Sequence, residues 1–306
     1  MIPFAFMKTQ DMKGLAKIAE KFYKANMKYR RDSISHIREL DDWCARYLGI
    51  KTYQEAVCAP PDELRRLKEN LDRDGTAKSD SGVTAYVREC LYEKMRIDAK
   101  TVLMQWMEMN GILACPYCNH NYILYDSRVK LNTGQLDHYY PKATYPIFAA
   151  SFFNLIPTCS VCNLAKSNHL LNFSPYDTVH RHDEIMNFRL WRRSVNEGAE
   201  QILAKDRLPK LELHGETEGF REEIKLLKLE ALYQKHEDLA REIEKKRDVF
   251  SDAYVESMEK KFGLNLEQSK ELLFGAKLNP DSFSQRPLSK FTYDILKEFD
   301  LAKGEE

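Results

Sequence analysis

The chain has 306 residues, with 47 basic and 47 acidic side chains, so its formal net charge is zero. That excludes the histone or ribosomal style of protein, in which bulk positive charge alone gives nucleic-acid affinity. Apolar residues make up 43% and aromatics 11%, enough for a buried core, which excludes a wholly disordered chain.

The zero hides a gradient: residues 1–114 carry +3, 115–170 carry +2 and 171–306 carry −5. No stretch approaches 18 uninterrupted apolar residues, so no membrane-spanning helix is expected. Residues 1–7 are too short for a secretory apolar core, and a cytoplasmic protein is expected.

Residues 8–110 read as helical. Leu15, Ile18, Ala19, Phe22 and Ala25 recur at helical spacing, as do Ile34, Ile37, Leu40, Trp43, Cys44 and Leu48. Pro60-Pro61-Asp62-Glu63 has the proline and early acids of a helix start, with Leu64, Leu67 and Leu71 facing inward behind it. After a polar loop over 72–82, one long helix is predicted from Val83 to Met109, stopped by Asn110-Gly111.

The stretch 115–170 is poor in charge and rich in aromatics and prolines. Short strands are predicted at 122–125 and 155–157, and a helix from Leu164. Residues 171–218 are mixed. A long charged helix is predicted over about 220–262, with shorter ones near 266–276 and 288–301. The expected organisation is a mainly α protein: helical regions at 1–111 and 173–306, the latter opening with the mixed stretch, on either side of a compact module at 112–172.

Four of the seven cysteines fall in two equal pairs, Cys115/Cys118 and Cys159/Cys162. In a chain without a secretion signal, paired Cys-x-x-Cys turns point to a metal before a disulfide. Four thiolates form a closed tetrahedral set for structural Zn2+, with no position left for catalysis. A redox Cys-x-x-Cys needs only one pair and a βαβ setting, which is absent. Cys44, Cys58 and Cys90 read as small buried hydrophobes.

Between the knuckles lies Leu136-Asp137-His138-Tyr139-Tyr140-Pro141-Lys142, followed by Phe153-Asn154-Leu155-Ile156-Pro157 and, after the second knuckle, Asn163-Leu164-Ala165-Lys166. Asp137 is a hard oxygen donor suited to Mg2+ or Mn2+, and Asn163 offers a second oxygen. His138 can take a proton from water near neutral pH. Neighbours on a strand point to opposite faces, so Asp137 and His138 share a site only where the strand ends or bends.

This ordered set resembles the HNH endonucleases, the zinc-bearing ββα-metal class. The resemblance implies that His138 is the general base, that Asp137 and Asn163 hold a divalent ion, and that Asn154 orients the loop carrying the base. Asn163 stands at the third motif position in place of His, as in many members of the family, and favours Mg2+ over softer metals. The wording also resembles PtuB-like anti-phage effector nucleases of Septu or retron-associated systems. That implies DNA or RNA as substrate, and a partner ATPase or retron components.

Lys142, Lys166, Arg189, Arg192 and Arg193 are candidate phosphate contacts, with a solvated surface as the alternative. His169 is a candidate relay and His120 a candidate zinc ligand. A second reading stays open: a zinc-stapled adaptor that binds nucleic acid or protein without cutting it.

Overall fold

The computed structural model describes residues 1–4, 12–28, 33–75, 82–95, 97–126, 128–129, 131–176, 180–191 and 210–302. Among these the chain is mainly helical, with three two-stranded antiparallel sheets. No helix among them is long and apolar enough to cross a membrane.

The N-terminal helices are α1 (Met12–Met27), α2 (Ser33–Tyr47), α3 (Tyr53–Cys58) and α4 (Pro61–Asp74). Most of the expected stripe positions are buried: Leu15, Ala19 and Phe22 on α1, Leu40, Trp43 and Cys44 on α2, and Leu64, Leu67 and Leu71 on α4, while Ile18, Ala25 and Ile37 are half-buried. Helix α4 begins with proline in its first turn and acids at Asp62 and Glu63. It stops at Gly75, whose φ of +67° suits a residue without Cβ.

The single long helix predicted over 83–109 is not one helix. It divides into α5 (Gly82–Tyr86), a π-helical stretch Val87–Glu93, and α6 (Ile97–Met109). The apolar positions on either side of the break serve different neighbours. The π-helical stretch packs against the turn 146–148, while α6 packs against α1 and the 125–126 strand. A straight helix could not reach both.

In the middle module, β1 (Tyr125–Asp126) pairs with β2 (Leu131–Asn132), a shorter strand than expected for 122–125; Tyr122 makes only an isolated bridge to Ala114. Strand β3 (Gln135–His138) pairs with β4 (Leu155–Thr158) in the register Asp137 opposite Ile156 and His138 opposite Leu155. Helix α7 (Ser160–Lys166) follows directly, four residues earlier than predicted, because Cys159 caps it.

Downstream come α8 (His182–Ile185) and the hairpin β5 (Asn187–Trp191) with β6 (Lys210–His214). The predicted charged helix over 220–262 is four helices: α9 (Glu218–Leu226), α10 (Leu229–Tyr233), α11 (Glu237–Val249) and α12 (Asp252–Phe262). Leu227 and Leu229 are both buried around Lys228, which takes a left-handed φ of +54°. One helix face cannot bury both, so the chain turns there. Helices α13 (Leu266–Phe274) and α14 (Ser289–Ala302) close the chain as expected.

One buried apolar cluster runs through all three regions. Trp106 of α6 lies edge-on to Phe4 and to Phe152 and stacks on Tyr176. From the other side, Tyr233 donates to the Cys118 carbonyl at 2.5 Å, and the Asn119 amide donates to the Phe283 carbonyl at 2.8 Å. The module is therefore held by both flanks as well as by its cysteines.

Candidate metal centre and adjacent polar site

The Sγ atoms of Cys115, Cys118, Cys159 and Cys162 lie within 4.8 Å of one another, all buried. Tetrahedral Zn–S bonds of about 2.3 Å place sulfurs about 3.8 Å apart, and Cys118 and Cys159 stand at 4.0 Å. The donor set and spacing fit a structural metal such as Zn2+. Backbone N–H groups of His120 and Cys162 point at Cys118 Sγ (3.4 Å) and Cys159 Sγ (3.5 Å), and the Asn121 amide donates to Cys159 at 3.3 Å. These donors favour thiolate. Cys159 falls well below the ordinary thiol range because the three other cysteines donate toward it.

His120, a candidate to replace a cysteine on zinc, has both ring nitrogens engaged elsewhere. Its Nδ1 meets Asn121 at 2.8 Å and its Nε2 meets His236 Nε2 at 2.7 Å. Four cysteines remain the set.

On β3 the alternation rule operates. Asp137 Oδ2 accepts from the Tyr117 hydroxyl at 2.7 Å. Lys166 Nζ lies 3.2 Å from each Asp137 oxygen and donates to the His138 carbonyl at 2.7 Å. Lys166 is fully buried, so it is not the exposed phosphate contact expected from sequence. Burial raises the Asp137 pKa, opposed by Lys166, and lowers that of Lys166, opposed by Asp137.

His138 sits at the end of β3, where the strand stops. Its Nε2 meets the Ala149 carbonyl at 3.0 Å. Among the described residues its Nδ1 has no hydrogen-bond partner. Asn154 shapes the loop that carries Ala149: its side-chain oxygen accepts from Tyr140 N at 2.7 Å, and its amide donates to the carbonyls of Tyr140 (3.1 Å) and Phe148 (2.9 Å). Burial lowers the His138 pKa to about 4, so the ring is neutral at pH 7.

Asn163 donates to Gln135 Oε1 at 2.6 Å. Its own side-chain oxygen is unengaged among the described residues. A divalent cation thus finds one open oxygen at Asn163, whereas both Asp137 oxygens already hold the Lys166 ammonium or the Tyr117 hydroxyl.

Tyr92, from the π-helical stretch, lies edge-on to His138 with ring centroids 4.4 Å apart. Lys142 sits 4.8 Å above the Tyr92 ring and pairs with Glu93 at 3.3 Å. His169 Nδ1 meets the Lys166 carbonyl at 3.0 Å, at the end of α7. Arg189 is exposed on β5, and Arg192 and Arg193 lie outside the described residues. Sequence reasoning missed Tyr117, Tyr92 and Ala149. Tyr117 stands inside the first knuckle, so its place beside the motif was available from position; Tyr92 is 46 residues from His138 and carries no local signal.

Against family models, curated proteins and solved structures, the chain matches none.

Proposed function

We propose that the protein is a phosphodiesterase of the HNH type that cuts nucleic acid, with His138 as general base. The observation that carries this reading is the tethering of His138: Nε2 is fixed by the Ala149 carbonyl, in a loop tied by Asn154, while neutral Nδ1 has no hydrogen-bond partner among the described residues. A carbonyl on one ring nitrogen fixes the tautomer and leaves the other as acceptor. His138 takes a proton from water, the water oxygen forms a bond to phosphorus, one P–O ester bond breaks, and the departing oxygen takes a proton from solvent. The strand–strand–helix order of β3, β4 and α7, closed by two cysteine pairs, is the arrangement the resemblance implies.

Mg2+ or Mn2+ held by Asp137 and Asn163 belongs to this reading, and Lys166 must release Asp137 for it to bind. Together with Tyr92 across His138, that describes a silent state. A partner-licensed effector, as in the PtuB-like systems with their ATPase or retron components, fits such a state. The covered imidazole equally favours the second reading, a non-catalytic adaptor.

The test incubates plasmid, single-stranded DNA and total RNA with the protein in Mg2+, Mn2+ or EDTA, beside His138→Ala. Cutting that needs metal and disappears in His138→Ala is the expected result. Cutting that persists in His138→Ala removes this base. Nucleic-acid binding without cutting, unchanged in His138→Ala, selects the adaptor.

A further inference from the structure

Helices α11 to α14 frame a cavity of about 230 Å3. Its walls are apolar: Phe250, Val255, Phe274 and Leu296. Three cations also line it, Arg247 of α11, Lys270 of α13 and Lys297 of α14, and among the described residues no carboxylate does. Such a set runs against the local charge, because residues 171–306 carry −5. Neither the Lys270 nor the Lys297 ammonium makes a hydrogen bond or ion pair among the described residues. The nearby buried carboxylate, Asp294, is already held by Lys290.

The volume decides what can sit there. An apolar cavity of about 150 Å3 holds a benzene ring, whereas sites for whole small molecules span about 300–1,000 Å3. This cavity is sized for one phenyl or branched aliphatic group. The apolar surface does not end at its mouth. Tyr254, exposed on α12, lies against Phe250 with ring centroids 5.2 Å apart, and Val249, next to Phe250, is exposed too. A small anion in the cavity would leave that outer surface uncovered. A helix would cover both, since its side chains at i, i+3 and i+4 share one face. One of them enters the cavity, its neighbours lie over Tyr254, and acids one turn away reach the lysines. A basic or neutral helix would leave the cations uncompensated.

We propose that α11–α14 form a docking site for an acidic amphipathic helix of a partner protein, anchored by one phenylalanine or leucine side chain in the cavity and by carboxylates on Lys270 and Lys297. This surface is independent of whether His138 acts on nucleic acid.

The test presents the full chain with a displayed library of alanine-rich peptides about 18 residues long, enough to be helical alone, randomised over adjacent turns. Selected peptides are labelled with fluorescein and titrated by anisotropy. The comparison uses Val255→Phe, which narrows the cavity from α12, the double variant Lys270→Glu with Lys297→Glu, and Lys245→Glu, exposed on α11 outside the cavity. Thermal melts check folding, and the double charge variant decides the matter if Val255→Phe fails to fold. Enrichment of one large apolar residue with Asp or Glu one turn away is expected. Val255→Phe should lose at least about thirtyfold in affinity. The double charge variant should lose at least about tenfold, with most of the salt dependence, and Lys245→Glu should stay within about twofold. No enrichment, enrichment without the acid–apolar pattern, or binding that neither cavity variant weakens overturns the proposal. Decanoate binding by calorimetry where no peptide binds makes the occupant a small anionic amphiphile. A sedimenting dimer that the double charge variant dissolves, with no peptide selected, makes it a second copy of this chain. Either result overturns the partner helix.

Discussion

Lys166 holds its ammonium 3.2 Å from each oxygen of Asp137, and both side chains are buried. The pair joins the end of α7 to the middle of β3, and the same ammonium holds the His138 carbonyl. Removing one member strands the other charge out of water, a loss of about 3–5 kcal/mol. Lys166→Met is expected to destabilise by that order in a denaturant titration. Lys166→Met with Asp137→Asn should recover most of the loss, because neither uncompensated charge remains. A double variant no more stable than Lys166→Met would show that the lysine acts by packing alone.

The cysteine centre yields a separate expectation. Cys159 is both a member of the four-sulfur set and the cap of α7, accepting from Cys162 N. Cys159→Ser should abolish binding of one Zn2+ per chain, measured by atomic emission, and lower the melting temperature markedly, since metal affinity is folding energy in such modules. A strong chelator should act in the same direction on the parent. Cys90→Ala, in the π-helical stretch away from the cluster, should keep its zinc.

The zinc set was legible because it is local: two pairs with equal spacing need no knowledge of packing, and the structure brings the four sulfurs together. The amphipathic stripes of α1 and α4 were legible for the same reason. What failed was continuity. The helical period runs unbroken through 83–109 and 220–262, but tertiary neighbours impose the breaks at Lys94-Met95 and at Lys228. The partners of the polar residues were equally hidden. Lys166 looks like a surface cation in sequence, and only the β3–α7 packing shows it buried against Asp137.

Glu223 provides a pH test away from both sites. On α9, it is 3% exposed, accepts from the backbone N–H groups of Asn172 and Phe173, and leaves Oε2 without a partner among the described residues. Burial raises its pKa from 4.5 to about 7. The folded chain then holds a proton that the unfolded chain has released, so this contribution is complete below pH 4.5 and is lost as pH rises through 7. The full loss is on the order of 3 kcal/mol. Glu223→Gln keeps the acceptor oxygen without the charge. It should match the parent near pH 4.5 and exceed it in stability at pH 8. Equal stability at both pH values would mean that Glu223 ionises freely in the folded state.

Tyr92 covers His138 from a π-helical stretch, a wide turn that often marks functional positions. Burial is the main reason the His138 pKa lies near 4 rather than 6.5, and the Tyr92 ring is one of the groups packed on the imidazole. A depressed histidine stabilises the fold above pH 6.5, and that stabilisation is lost as pH falls from 6.5 through 4, because the unfolded chain takes the proton first. Tyr92→Ala should move the His138 pKa, read by NMR titration, back toward 6.5 and narrow that window. It should also speed modification of His138 by diethylpyrocarbonate several-fold, located by mass spectrometry, while Tyr92→Phe keeps the cover and the parent's rate. If the protein cuts nucleic acid as proposed, Tyr92→Ala should cut faster than the parent at neutral pH, because the base is opened without being removed. An unchanged pKa and unchanged modification in Tyr92→Ala would mean that the surrounding loop, not this ring, keeps the histidine dry.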